Sequence, residues 1–180
     1  DASSLFGSET RRATYTRMSA AYRVSEDLSL PGVDEFKLRA SYGTAGLRPE
    51  FDAQYEIFRL VAGNVSPLTL GNSSLKPAFS KETEVGFNLN FLRDFTLEYS
   101  YSDKVTSDQI LLVPVSAATM FTNRWVNAGT LAGQTHELAF GAVLMSTADR
   151  FWRINLTLDR TRQEITALEG VQPFYGGPDE

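Results

Sequence analysis

Glu84-Val85-Gly86-Phe87-Asn88-Leu89-Asn90-Phe91, then Leu92-Arg93-Asp94, then Phe95-Thr96-Leu97-Glu98-Tyr99-Ser100-Tyr101-Ser102 is the stretch on which the fold turns. Val85, Phe87, Leu89 and Phe91 alternate with Glu84, Gly86, Asn88 and Asn90. After the turn, Phe95, Leu97, Tyr99 and Tyr101 alternate with Thr96, Glu98, Ser100 and Ser102. Successive side chains of a strand point to opposite faces, so strict alternation marks a strand with one apolar and one polar side. Two such runs across a short turn make a hairpin.

The same pattern recurs on either side. Met18, Ala20, Tyr22 and Val24 are followed, past Pro31-Gly32, by Phe36, Leu38, Ala40 and Tyr42. Leu138, Phe140, Ala142 and Leu144 are followed, past Ser146 to Arg150, by Trp152, Ile154, Leu156 and Leu158. The expectation is an all-β chain, an antiparallel meander of about six strands near 12–25, 36–46, 81–92, 94–106, 134–146 and 151–163. Turns within hairpins are short. The connections between hairpins, Leu47 to Ser80, Ser107 to Gly133 and the stretch from Glu164 to Glu180, are long and read as structureless. Soluble domains rarely repeat such loops beyond about 15 residues. Outer-membrane barrels combine short periplasmic turns with long extracellular loops.

Composition narrows the function classes. Across 180 residues, 22 acids exceed 17 bases for a net charge of −5, with no basic block, which argues against a nucleic-acid partner. The absence of cysteine excludes disulfides and thiolate metal sites, and a single histidine, His136, excludes multi-histidine zinc. No apolar run approaches the roughly 18 to 20 residues of a spanning helix, but a spanning strand needs only about 9 to 11 alternating residues.

On the barrel reading, Tyr22, Tyr42, Phe87, Leu89, Leu97, Tyr99, Phe140, Ile154 and Leu156 face lipid. Arg23, Arg39, Glu84, Glu98, Arg153 and Asp159 face the lumen, and Phe91, Phe95, Phe151 and Trp152 lie near one membrane interface. Periodicity leaves open a soluble β-sandwich that binds carbohydrate through its loops, with the apolar faces packed inward. The charged polar faces need bulk water or a wide wet lumen in either case.

Several segments in order resemble the barrel of SusC/RagA-type TonB-dependent transporters. They are Ser4-Leu5-Phe6-Gly7, Arg12-Ala13-Thr14, Ser19-Ala20-Ala21-Tyr22-Arg23-Val24-Ser25 and Phe36-Lys37-Leu38-Arg39-Ala40-Ser41-Tyr42-Gly43. Asn72-Ser73-Ser74-Leu75-Lys76-Pro77 then leads to Glu82-Thr83-Glu84-Val85-Gly86-Phe87. Leu111-Leu112-Val113-Pro114-Val115 follows, and Trp125-Val126-Asn127-Ala128-Gly129 leads to Glu137-Leu138. The resemblance runs from about Ser4 to Leu158. It implies a stretch from the later part of a 22-stranded outer-membrane barrel that imports an oligosaccharide or peptide. Such barrels are plugged by an N-terminal domain, driven by TonB and paired with a SusD-like surface lipoprotein. This sequence departs from the family pattern in showing no signal peptide, plug, TonB box or terminal strand ending in an aromatic residue. Six strands with open edges would leave backbone groups unpaired in hydrocarbon, so strands outside the sequence are expected to close the barrel.

Candidate chemistry is sparse. His136, beside Thr135 and Glu137 near the start of the fifth expected strand, has no legible partner constellation and reads as a strand-end residue. A hydrolase reading would rest on it alone. Glu82 and Glu84 share a strand face, a spacing open to glycosidase or metal chemistry that a solvated wall explains more simply. Tyr55, Phe58, Phe121, Trp125, Phe174 and Tyr175 fall in the loops, where they would stack on sugars or pack the loops together. Asn64, Asn72 and Asn155 open Asn-x-Ser/Thr triplets that read as chance. The chain is expected not to be an enzyme. The sequence assigns no catalytic, cofactor-binding or metal-ligating residue, implies no cofactor, and leaves ligand-binding residues unassigned.

Overall fold

The computed structural model describes residues 14–168 and 171. It contains two sheets. Strands β1 (Arg17–Arg23), β2 (Val33–Leu47), β5 (Ala78–Phe91), β6 (Phe95–Ser107), β9 (Thr130–Ser146) and β10 (Phe151–Ala167) form a six-stranded antiparallel wall in that order. Strands β3 (Ile57–Val61), β4 (Asn64–Leu70), β7 (Ile110–Pro114) and β8 (Asn123–Asn127) form a second sheet in the order β3-β4-β8-β7. The all-β antiparallel class follows from the alternation. The structureless reading of the two internal loops does not hold, because each folds into a hairpin and a parallel β4–β8 pairing joins them. The third long segment, together with residues 12–13 and the aromatics Phe174 and Tyr175, lies mostly outside the described residues.

The short connections have local causes. Leu92 and Arg93 between β5 and β6 both take positive φ, 51° and 66°, which costs side-chain-bearing residues about 1–2 kcal/mol each. The turn is held by Arg93 N–H donating to the Asp34 carboxylate at 2.7 Å and Leu92 N–H donating to the Gly32 carbonyl at 2.9 Å. A one-turn helix, α1 (Val24–Asp27), links β1 to β2 and buries Val24. Arg23 bonds Glu26 beside it. At the turn between β9 and β10, Thr147 N–H donates to the Arg150 carbonyl at 2.8 Å.

Register aligns the alternating residues across the wall. One row runs Tyr22, Leu38, Phe87, Tyr99, Leu138, Leu158, and the next toward the short turns runs Phe36, Leu89, Leu97, Phe140, Leu156. All nine residues expected on the lipid side share this apolar face, where Phe91 stacks on Phe95 (centroids 5.3 Å) and Phe87 contacts Tyr99 (5.9 Å). Trp152 also falls here; Phe151, one residue earlier, takes the opposite phase and leaves the expected girdle. The second sheet does not cover this face. Tyr22, Ile154, Leu156 and Leu158 remain about half exposed, at 49–52%, so the inward packing required by the sandwich reading is not found among the described residues.

The apolar band crosses the rows obliquely. On β2 its last member on the loop side is Tyr42, whose row continues through Thr83, Asp103 and Gln134 to Arg162. On β10 the last apolar residue is Leu158, four residues short of Arg162. The opposite edge shifts the same way, from Phe36 on β2 to Trp152 on β10. Four residues are about 13 Å of strand, and the four strand spacings from β2 to β10 are about 19 Å, so a level band requires strands tilted by about 35°. Barrel strands tilt by about 35–45°.

Candidate functional site

Every second residue of the wall lies on the opposite, polar face, and this face is concave. Ser41, Glu84, Ser102, Thr135 and Thr161 form one row, and Gly43, Glu82, Lys104, Gly133 and Gln163 the next toward the loops. Together with Arg17 and Glu137 they line one trough of about 1070 Å³ that crosses the whole wall. A surface lined by hydroxyls and opposed charges is one that water or a polar ligand can wet.

Glycines let long side chains lie across this floor. Arg39 on β2 faces Gly86 on β5, which faces Ser100 on β6. The guanidinium passes over the glycine to donate from Nη2 to Glu98 Oε1 at 2.9 Å and to Ser100 Oγ at 3.1 Å, with Glu84 3.9 Å from Nη1. A Cβ on Gly86 would stand 2.6 Å from the Tyr99 carbonyl oxygen and 3.3 Å from Arg39 Nη2, so a methyl group there would collide with the backbone of β6 and crowd the arginine. Gly141 has the same character, with Thr96 Oγ1 at 2.5 Å from its would-be Cβ. Lys104 pairs with Glu82 at 3.6 Å, and Arg23 reaches Glu35 at 3.3 Å.

All six residues expected at the lumen fall on the concave face, and the structure joins three of them, Arg39, Glu84 and Glu98. Arg23 pairs near the short turns, while Arg153 and Asp159 stand apart from the cluster. Glu82 and Glu84 share the face, and each lies beside its own cation, Lys104 and Arg39. His136 is not at a strand end, because β9 begins at Thr130. It sits mid-strand on the apolar side with Nδ1 2.8 Å from the Tyr99 hydroxyl. Asn155 lies mid-strand on the polar face, and Asn64 opens β4 behind the Ala62-Gly63 turn.

The rim above the trough is held by two of the quoted motifs. Asn127, ending β8, donates from Nδ2 to the carbonyls of Lys76 (2.8 Å) and Asp108 (3.0 Å), and its Oδ1 accepts from Lys76 N–H at 2.8 Å. Its amide therefore imitates a strand partner for Lys76. Asn72 donates to the Trp125 carbonyl at 2.8 Å and accepts from Ser74 N–H at 3.0 Å. Beneath these clasps Leu75, Ala78, Ala53 and Ala128 are almost fully buried, at 0–4%. Gly71 packs so closely on the backbone of Gln54 and Tyr55 that a Cβ would meet it at 2.5–2.6 Å. Among the loop aromatics, Phe58 packs on Phe121 (5.8 Å) and Tyr55 on Phe51 (5.3 Å), while Tyr55 and Phe58 remain about half exposed.

A tilted antiparallel wall, apolar on one face and wettable on the concave other, defines the class as β-barrel wall. The family model "TonB dependent receptor-like, beta-barrel" matches residues 1–173, and the chain belongs to that family. Among curated relatives, TonB-dependent receptor P26 of Formosa agariphila is 28% identical over 95% of this chain and 19% of its own length. TonB-dependent receptor P39 of the same organism is 25% identical over 98% and 18%. Among solved structures, the RagAB peptide importer in its "closed-closed" state superposes with a TM-score of 0.79 at 21% identity, over 93% of this chain and 20% of that one. The FrpB iron transporter from Neisseria meningitidis gives 0.54 at 15% identity, over 88% and 21%. The chain thus spans about a fifth of the length of the relatives it matches, and its fold superposes better on the peptide importer than on the iron transporter.

Proposed function

We propose that these strands are part of the wall of a 22-stranded outer-membrane transporter that imports a nutrient. The apolar face meets lipid, the concave face lines the lumen, and further strands pair with the free edges of β1 and β10. The observation that carries this reading is the oblique apolar band. On β10 the outward apolar positions run from Trp152 to Leu158, with Arg160 next on the loop side and Arg150 in the turn just before the strand. The ten residues between the two arginines, taken at the strand rise and a tilt of about 35°, correspond to about 27 Å, against about 25 Å for the band of outer-membrane barrels.

The cargo in this reading is an oligosaccharide or a short peptide, captured with a SusD-like lipoprotein and driven inward through TonB by a plug held inside the wall. The hydroxyl-rich, charge-alternating trough supports a polar cargo, and the peptide importer among the structural relatives supports the peptide form. The exposed Leu60 and Val65 of the β3–β4 hairpin, 73% and 70% accessible, support a docking edge for the lipoprotein on the loop side.

The test is uptake of labelled oligosaccharides and peptides by cells carrying the parent receptor. Uptake should require both the lipoprotein and an energised inner membrane. Uptake that persists after uncoupling would contradict the proposal.

A further inference from the structure

On the apolar face the band ends differently from strand to strand. Above it β2 presents Thr44, β5 presents Thr83 and then Lys81, whose ammonium sits over the Phe79 ring at 5.7 Å, and β6 presents Asp103. On β9 and β10, however, the first two outward positions above Leu138 and Leu158 are His136 and Gln134, and Arg160 and Arg162. Arg160 and His136 are direct cross-strand neighbours, and His136 in turn neighbours Tyr101, with ring centroids 4.9 Å apart. The Tyr99 hydroxyl engages His136 Nδ1, so the imidazole is fixed on one side. Glu164 holds one side of Arg162 at 3.3 Å, whereas Arg160 is exposed and has no ion pair among the described residues.

Arg160 and Arg162 are two apart on one strand face, about 7 Å along the chain, a distance that one phosphate group can bridge. Guanidinium groups hold phosphate oxygens through paired N–H donors, and the edge of an apolar band is where lipid headgroups lie. We propose that Arg160, Arg162 and His136, backed by Tyr99 and Tyr101, form a binding site for the phosphorylated headgroup of an outer-leaflet lipid. The acyl chains would run down the apolar face over Leu158, Leu138 and Leu156. Tyrosine rings supply the amphipathic floor, and Arg160 supplies the uncompensated charge.

This site rests on the outer-membrane reading above, and its test separates the two. The full-length receptor is extracted in mild detergent, checked for heat-modifiable barrel mobility, and examined by native mass spectrometry after incubation with phosphorylated lipid A, dephosphorylated lipid A or inorganic phosphate. The wild type should retain phosphorylated lipid A selectively. Each Arg→Gln change, R160Q or R162Q, should weaken retention about fivefold. R160K should keep most of it, and R153Q, on the concave face, should change nothing. Equal retention of the dephosphorylated lipid, or equal loss in R153Q, would overturn the site. Competition by inorganic phosphate at the lipid's own concentration would overturn the lipid as its ligand. A receptor absent from the outer-membrane fraction would instead defeat the transporter reading.

Discussion

Leu156→Arg is the most informative substitution. On β10 the apolar positions run from Trp152 to Leu158, so the band centres near Asn155. Leu156 is one residue away, which at a tilt of about 35° is within about 3 Å of the midplane. Cross-strand, Leu156 faces Phe140, which faces Leu97, so the new guanidinium would meet only apolar neighbours. Arginine near the midplane of an outer-membrane barrel costs about 2–4 kcal/mol, falling to about 0–1 near the interface. Asn155 is as close to the midplane but lies on the concave face, so Asn155→Arg should cost little. The assay is urea-induced unfolding of the parent receptor reconstituted in phospholipid vesicles, with Leu158→Arg as an intermediate depth. The expected order is Leu156 worst, Leu158 milder and Asn155 mildest. Equal tolerance of Leu156→Arg and Asn155→Arg would refute the assignment of faces.

Gly86→Ala should destabilise the barrel by about 1–3 kcal/mol, because its Cβ enters space held by the Tyr99 carbonyl and Arg39; thermal melting by heat-modifiability reads this. Arg39→Met should cost less than about 1 kcal/mol, since Glu84 and Glu98 are 42% and 50% exposed and can turn to water; the same melt would show it. Asn127→Ala removes three hydrogen bonds at the rim and should cost about 1–3 kcal/mol locally. Hydrogen exchange should speed at 72–78 and 108–110 while β5 and β6 stay protected.

What the sequence made legible follows from range. The wall strands carry unbroken alternation because each has one wet face and one apolar face, and that period survives without knowledge of the partner strand. Register was not legible, and so neither was the oblique band, because tilt is a relation among strands. Ile57-Phe58-Arg59-Leu60-Val61 and Asn64 to Leu70, around Ala62-Gly63, do hold a hairpin signal. The length of the surrounding loop masks this signal, and Pro67 weakens it further. The parallel β4–β8 contact joins residues more than fifty apart and has no local mark. Asn72 read as a chance triplet, yet its amide is a clasp. The alternation around Leu138 places His136 at a strand end, whereas β9 starts at Thr130; the polar Gln134 and His136 occupy outward positions and interrupt the apolar side of the pattern.

The central claim is that one face of this wall meets lipid and the other a wet lumen. Single cysteines placed from 152 to 159 in the parent receptor, labelled with an environment-sensitive fluorophore in vesicles, test it most directly. The even positions 152, 154, 156 and 158 should be quenched by brominated lipid, and the odd positions 153, 155, 157 and 159 by a water-soluble quencher. Quenching that does not alternate along the strand would contradict it.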